Sequence, residues 1–250
     1  MTSDSEKPLA GRIALVTGAT RGIGEAIAVG LAKAGAHVIA LGRTQGALEA
    51  LDDTIFAATG EHATLVPLDL READGLDQLG AALYERFGKL DIVVGAAGVL
   101  GALTPVGHLD PKGWDMIMAV NLTANWRLIR AMDPLLRRAE AGRAIFLTSS
   151  VAQTHRAFWG GYAASKAGLE AIVACYDDEM ENTPVRAVSV DPGAMRTRMR
   201  AGAFPGEDTQ SVPAPETIVP LIVDLARPDR VPPKGVIRFK DRGQESASIG

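Results

Sequence analysis

The sequence predicts an α/β domain: a doubly wound parallel sheet with helices on both faces. Three observations predict it. Short β-branched apolar runs recur along the chain, a stretch with helical spacing follows most of them, and a glycine-rich turn joins the first such pair. Arg12 to Thr17 is apolar nearly throughout, as a strand buried on both faces must be. Glu25 to Ala34 follows with Ile27 and Leu31 on one side, and Gly35 stops it. His37 to Leu41 is the second strand. A helix from Thr44 to Thr59 then aligns Leu48, Leu51 and Ile55. Ala63 to Leu68 and Asp91 to Gly95 are the third and fourth strands, separated by a helix over Asp74 to Phe87.

A long helix is expected over Pro111 to Ala139, broken or adjusted near Pro134. Arg143 to Thr148, a helix over Tyr162 to Met180, and Val185 to Val190 continue the alternation, which implies right-handed crossovers. Arg196 to Pro215 breaks the rhythm with Gly202, Pro205, Gly206, Pro213 and Pro215, and is expected to be a mobile excursion. A helix over Pro215 to Ala226 and a strand over Val236 to Phe239 complete the series. The expected organisation is a flexible segment over 1–10, one domain over 11–243 with the excursion at 196–215, and a flexible tail over 244–250.

Composition narrows the function classes. Hydrophobic residues make up 47% of the 250 and charged residues 22%, enough for a sizeable core. The net charge of -4 is scattered, which argues against a nucleic-acid partner. Arg137 and Arg138 form only a local pair, read as a solvated helix face. The single cysteine, Cys175, excludes an intramolecular disulfide, and its neighbours Ile172, Val173 and Ala174 predict a buried packing role. No apolar run approaches the roughly 20 residues of a membrane helix. Met1 to Pro8 lacks the apolar core of a signal peptide, so a cytoplasmic location is expected.

Thr17-Gly18-Ala19-Thr20-Arg21-Gly22-Ile23-Gly24 lies between the first strand and the first helix. Glycines there allow a tight turn and a close approach to a pyrophosphate, which the helix N-terminus attracts. The end of the second strand carries Gly42 and Arg43 with no acidic residue. Gly42 leaves room and removes a carboxylate's repulsion. Arg43, helped by Arg21, can make charge-assisted bonds to a 2′-phosphate. These residues favour NADP(H), with NAD(H) as the alternative.

The spacing T-G-x-x-x-G-x-G resembles that of the short-chain dehydrogenase/reductase family, whose domain is Rossmann-type. The resemblance runs from Gly11 to Thr197 and more weakly to Phe239. It implies cofactor contacts from Gly18, Thr20, Arg21, Gly22, Ile23, Gly24 and Arg43. It also implies an adenine-side contact from Asp69 beside Leu70, and a small-residue approach at Ala96, Ala97 and Gly98. This last element resembles N-N-A-G but reads Gly95-Ala96-Ala97-Gly98, without either asparagine. Asp191-Pro192-Gly193-Ala194-Met195-Arg196-Thr197 resembles P-G-x-x-x-T, so Pro192, Gly193 and Thr197 are expected at the nicotinamide. Asp191 stands where asparagine is frequent.

Tyr162 and Lys166 lie four apart on a helix and so share a face. A free tyrosine has a pKa of about 10, and a nearby ammonium favours its phenolate. Ser149, thirteen residues before Tyr162, is expected to polarise the substrate oxygen, with Ser150 as the alternative. By resemblance Asn121 accompanies a helix irregularity and holds a water that links Lys166 to a proton relay; Asn125 is near. Asn121, Ser149, Tyr162 and Lys166 are thus the expected catalytic set, and Tyr162 and Lys166 also touch cofactor.

The expected function is hydride transfer between NADP(H) and a carbonyl or secondary alcohol. The other reading is a cofactor-binding sensor or interaction protein without catalysis, prompted by Gly95-Ala96. Substrate contacts are expected near Leu100–Pro105, Val151–Trp159 and Arg196–Pro215, including Leu103, His155, Phe158, Trp159, Met195, Met199 and Phe204. Family members are usually dimers or tetramers, so a homo-oligomer is expected by resemblance. No metal site and no membrane contact are expected.

Overall fold

Valine, isoleucine, leucine and alanine fill the strands because both faces of the sheet are covered, so no polar face is needed. The computed structural model describes residues 7–72 and 74–239. The strands are β1 (Ile13–Thr17), β2 (His37–Gly42), β3 (Thr64–Pro67), β4 (Ile92–Gly95), β5 (Arg143–Leu147), β6 (Arg186–Asp191) and β7 (Val236–Arg238). They form one sheet in the order β3-β2-β1-β4-β5-β6-β7, and every pairing is parallel. Val16 pairs with Ala40 on one side and Val94 on the other, so the strand order reverses at β1. Open sheets of this kind bind ligands outside the carboxyl ends of the strands at such a reversal.

The helices are α1 (Gly22–Lys33), α2 (Gln45–Thr59), α3 (Gly75–Phe87), α4 (Pro111–Met118), α5 (Ala124–Leu136), α6 (Val151–Thr154), α7 (Gly160–Glu179), α8 (Arg198–Ala203) and α9 (Val219–Ala226). On one face Val16, Val94 and Val188 pack with Ile27, Leu31, Leu48 and Ile222, from α1, α2 and α9. On the other Leu15, Val93 and Phe146 pack with Leu83, Leu128, Met132 and Val173, from α3, α5 and α7. The end of the sheet opposite the reversal crevice is tied shut. Buried Arg12 donates to the carbonyls of Asp91 and Ala226, and buried Arg143 to those of Gly142 and Arg230.

Several expectations need correction. The segment over 1–10 is not flexible throughout: Leu9 is fully buried in the α1–α2 face of the core, and its N–H bonds to the Ala34 carbonyl at 2.9 Å. Residues 1–6 and the tail over 244–250 lie outside the described residues. The long helix is not broken near Pro134, which lies within α5. It is interrupted instead by a π turn at Ala119–Thr123, between α4 and α5, which is the irregularity the resemblance placed at Asn121. The excursion is partly ordered, with α8 and a 3₁₀ turn at Thr209–Ser211. Cys175 is exposed, because the helical period turns it outward while Val173 and Tyr176 face inward.

Candidate active site

The β1–α1 turn depends on glycine at specific atoms. Gly18 and Gly22 adopt φ of +65° and +57°, the left-handed region that glycine enters without cost. A Cβ on Gly18 would lie 2.8 Å from the Ala97 Cα, and one on Gly24 would lie 2.2 Å from the Gly18 carbonyl oxygen. The turn is therefore pressed against the loop after β4. Arg21 caps α1 without any side-chain bond to the helix, so the first-turn N–H groups remain free to meet an anion.

Arg21 and Arg43 are exposed, and among the described residues neither makes an ion pair. The space beside Gly42, expected to be open, is filled by the turn. A Cβ there would come within 2.7 Å of the Thr20 methyl and 3.3 Å of Leu48. Asp69 is gripped by Arg71, whose Nε and Nη2 donate to it at 3.0 and 2.6 Å. Those bonds hold its pKa down at about 2, with Arg43 contributing at longer range. The Leu70 side chain is buried in the core, and Ile23 packs against the core on the opposite face of the sheet.

The strand-end after β4 is oriented without asparagines. Thr17 Oγ1 accepts the N–H groups of Ala96 and Ala97 at 3.1 and 3.2 Å. A Cβ at Gly95 would meet Phe146 at 2.4 Å and the Asn125 Oδ1 at 2.6 Å, so Asn125 takes the volume a side chain there would need. A Cβ at Gly98 would meet only ordinary contacts, 3.5 Å from Asn121 Oδ1 and 3.8 Å from Lys166 Nζ, so the loop after β4 lies beside both catalytic candidates. Thr17, named only at the head of the glycine motif, and Asn125, named only as near Asn121, were not expected in these roles. A second asparagine in an apolar helix was the available signal for Asn125.

Asn121 is fully buried in the π turn. Its Oδ1 accepts from Val99 N at 2.8 Å, and its Nδ2 donates to the Val99 carbonyl at 2.9 Å and to Ser165 Oγ at 3.0 Å. Ser165 in turn donates to the Tyr162 carbonyl at 2.8 Å. Asn125 Nδ2 donates to the Asn121 carbonyl at 2.8 Å. One amide thus joins the loop above β4 to the first turns of α7.

Tyr162 and Lys166 project from the buried face of α7, the ammonium 5.8 Å from the phenol ring centre. Lys166 Nζ donates to the Leu147 carbonyl at 2.7 Å. Burial lowers its pKa to about 8, with Glu170 opposing. The phenol is not pulled down as expected: burial, then the Asp191 carboxylate, raise the Tyr162 pKa to about 12, against a lowering contribution from Ser149. Ser149 is therefore the serine beside the phenol. Ser150 instead opens α6, where its carbonyl accepts from Gln153 and Thr154.

After β6, Asp191 Oδ1 accepts from Gly193 N at 3.0 Å, and buried Pro192 leads into Gly193 at φ +68°. Thr197 caps α8 by accepting from Arg200 N, and its methyl reaches to 3.4 Å from the Cβ position of Gly22. Among the expected substrate contacts, Trp159 lies edge-on to Tyr162 at 6.0 Å and Phe204 lies 5.9 Å from Trp159. Met199 approaches Gly98, Met195 is buried in the core, and His155 and Phe158 are exposed. A cavity of about 360 Å³ lies within the excursion, lined by Thr197, Phe204 and Val212 among others, and does not touch Tyr162. Among the described residues, no cluster of histidine, cysteine or carboxylate side chains fits a metal ion. None of the described helices is long and apolar enough to cross a membrane.

The short chain dehydrogenase family profile, adh_short, matches residues 12–208. The chain belongs to the short-chain dehydrogenase family. The Escherichia coli oxidoreductase YciK is 39% identical over 220 residues, 87% of each chain. A Mycobacterium tuberculosis relative described as an NAD-dependent oxidoreductase is 36% identical over 204 residues, 76% of this chain and 74% of the relative. A Shigella flexneri short-chain dehydrogenase solved in complex with NADP superposes with a TM-score of 0.90 at 36% identity, covering 93% of this chain and 98% of that one. Within the family the fold is the Rossmann-type sheet described above, and the chain is an oxidoreductase. This short-chain dehydrogenase departs from N-N-A-G at Gly95 and Ala96, and Thr17 and Asn125 do the local bonding and filling there.

Proposed function

We propose that this short-chain dehydrogenase transfers hydride between NADP(H) and a carbonyl or secondary alcohol, with Tyr162 as the general acid and base. One observation carries the reading: Tyr162, Lys166 and Ser149, from α7 and the end of β5, gather at the carboxyl edge of the sheet. The glycine turn and the free N–H groups of α1 fit a dinucleotide. That group, when bound, supplies or accepts the hydride.

The chain's own residues manage the oxygen and its proton. Burial keeps Tyr162 protonated at neutral pH, so it can donate to the oxygen of a carbonyl as that carbonyl is reduced. In the oxidative direction it takes the proton back. Ser149 donates a hydrogen bond to the same oxygen and stabilises the charge that develops there. Lys166, anchored to the Leu147 carbonyl, offers a positive charge to the phenolate and a donor to the ribose. Asn121 fixes Val99 and the start of α7 relative to each other.

Preference for NADP(H) rests on Arg43 and Arg21, two exposed guanidiniums at the end of β2 and in the turn. A guanidinium gains a charge-assisted bond from a 2′-phosphate that NAD(H) lacks. The NADP bound to the Shigella relative is consistent with this preference.

Turnover by Tyr162→Phe tests the reading. The expected result is a fall in kcat of at least about a hundredfold with NADPH affinity, read by cofactor fluorescence, unchanged. Turnover retained across a panel of aldehydes, ketones and alcohols would remove Tyr162 from the chemistry.

A further inference from the structure

We propose that the substrate bears a carboxylate at the end remote from its reacting carbon, beyond an apolar body, and that Arg156 binds that carboxylate. The inference rests on the oxidoreductase reading above and adds the class of substrate. It starts from a wall of aromatic rings leading away from the reactive phenol. Trp159 meets Tyr162 edge-on at 6.0 Å, and Phe204 continues the wall 5.9 Å from Trp159. Rings of this kind bind an apolar body by contact area.

The wall ends in a cation. The Arg156 guanidinium stacks over Phe204 at 5.0 Å and Trp159 at 5.9 Å. Its side chain is exposed, and among the described residues it makes no ion pair. Its N–H donors bond no described residue, and guanidinium donors match a carboxylate two at a time.

The backbone that presents Arg156 is strained. His155 and Phe158, on either side of it, adopt φ of 48° and 73°, which side chains with a Cβ rarely do. The Phe158 carbonyl is held by Thr104 N at 3.1 Å, which ties this loop to the one above β4. Such conformations persist where the surrounding structure imposes them, and they cluster at ligand clamps.

The charge around the mouth has the matching sign. The whole chain carries -4, yet Arg196, Arg198 and Arg200 fall within five residues on the excursion that carries Phe204. Of these, Arg200 is neutralised by Glu207, while Arg196 bonds the uncharged Gln210. With Glu207 and Asp208 counted, the excursion still keeps one positive charge on a chain of net -4, a bias that favours anions beside the wall.

The test compares 4-carboxybenzaldehyde with its methyl ester, 4-formylbenzoate methyl ester, as substrates with NADPH. The two share the reacting aldehyde and the ring and differ in the charge at the far end. The expected kcat/KM favours the acid by about tenfold in the unaltered protein. Arg156→Gln is expected to abolish that preference while leaving the ester and the NADPH dissociation constant within about twofold, and Arg156→Lys to keep part of it. An unaltered protein without preference for the acid, or Arg156→Gln that retains the preference or depresses both substrates alike, overturns the proposal. If neither aldehyde is reduced, the oxidoreductase reading loses support for this substrate type. The proposal is then decided by calorimetric binding of the acid and the ester to the NADP-loaded protein, where equal affinities overturn it.

Discussion

The carboxylate of Asp191, held by the Gly193 N–H at 3.0 Å, raises the pKa of the Tyr162 phenol, second only to burial. A negative charge nearby disfavours the phenolate, so removing it lowers that pKa. Reduction uses the phenol and fails as pH rises through the pKa, whereas oxidation uses the phenolate and gains over the same range. Asp191→Asn keeps an acceptor for Gly193 and removes the charge. Both limbs of the pH–kcat/KM profile are expected to move to lower pH, by roughly half a unit to one unit. Profiles that superpose would show that Asp191 does not act on the catalytic group.

Arg43→Ala separates the two dinucleotides. The guanidinium can bond only the cofactor that carries a 2′-phosphate, and losing a bond to a charged group costs about 1.5–3 kcal/mol. The NADPH dissociation constant should rise at least about tenfold, with NADH within about threefold. Titration of reduced-cofactor fluorescence measures both, and equal weakening would assign Arg43 a merely structural role.

Much of this arrangement was legible in the sequence, for identifiable reasons. Strands buried on both faces must be apolar throughout, so β1, β2, β5 and β6 stood out by composition. The β1–α1 turn stood out because its glycines enter the left-handed region and touch backbone, which no other residue can do there. What sequence concealed was set by tertiary contacts. Pro134 is a local breaker, yet α5 runs through it. The interruption falls instead at Asn121, where the family resemblance placed an irregularity and where the buried amide reaches Val99 and Ser165. Cys175 has apolar neighbours in sequence but faces outward once wound on α7. The effect of Asp191 on Tyr162 depends on a fold that brings the end of β6 to α7.

Gly95→Ala tests how tightly the altered strand-end is packed. Its Cβ would sit 2.4 Å from Phe146, a fully buried ring, and 2.6 Å from Asn125 Oδ1. Neither neighbour has room to withdraw, and overpacking of this kind costs about 1–3 kcal/mol. Tm should fall by roughly 2–10 °C in a chain of this size. Gly95→Ala combined with Asn125→Ala relieves only the second contact and should recover part of the loss. A single variant with unchanged Tm would mean that the space is not filled as described.

Leu9→Ala tests the N-terminal segment. A flexible leader would tolerate the change within about 0.5 kcal/mol, as surface positions do. Leu9 instead lies at 0% exposure in the same cluster as Ile27, Leu31 and Leu51, with its N–H closing the end of α1 through the Ala34 carbonyl. Truncating a buried leucine costs about 2–5 kcal/mol through lost transfer energy and the cavity left behind. The midpoint of urea unfolding should drop accordingly with an unchanged m-value, since the surface exposed on unfolding is nearly the same. Leu9→Ile keeps the volume and should cost less than about 1.5 kcal/mol. If alanine and isoleucine are both neutral, the segment does not belong to the core, and the burial of Leu9 contributes nothing to stability.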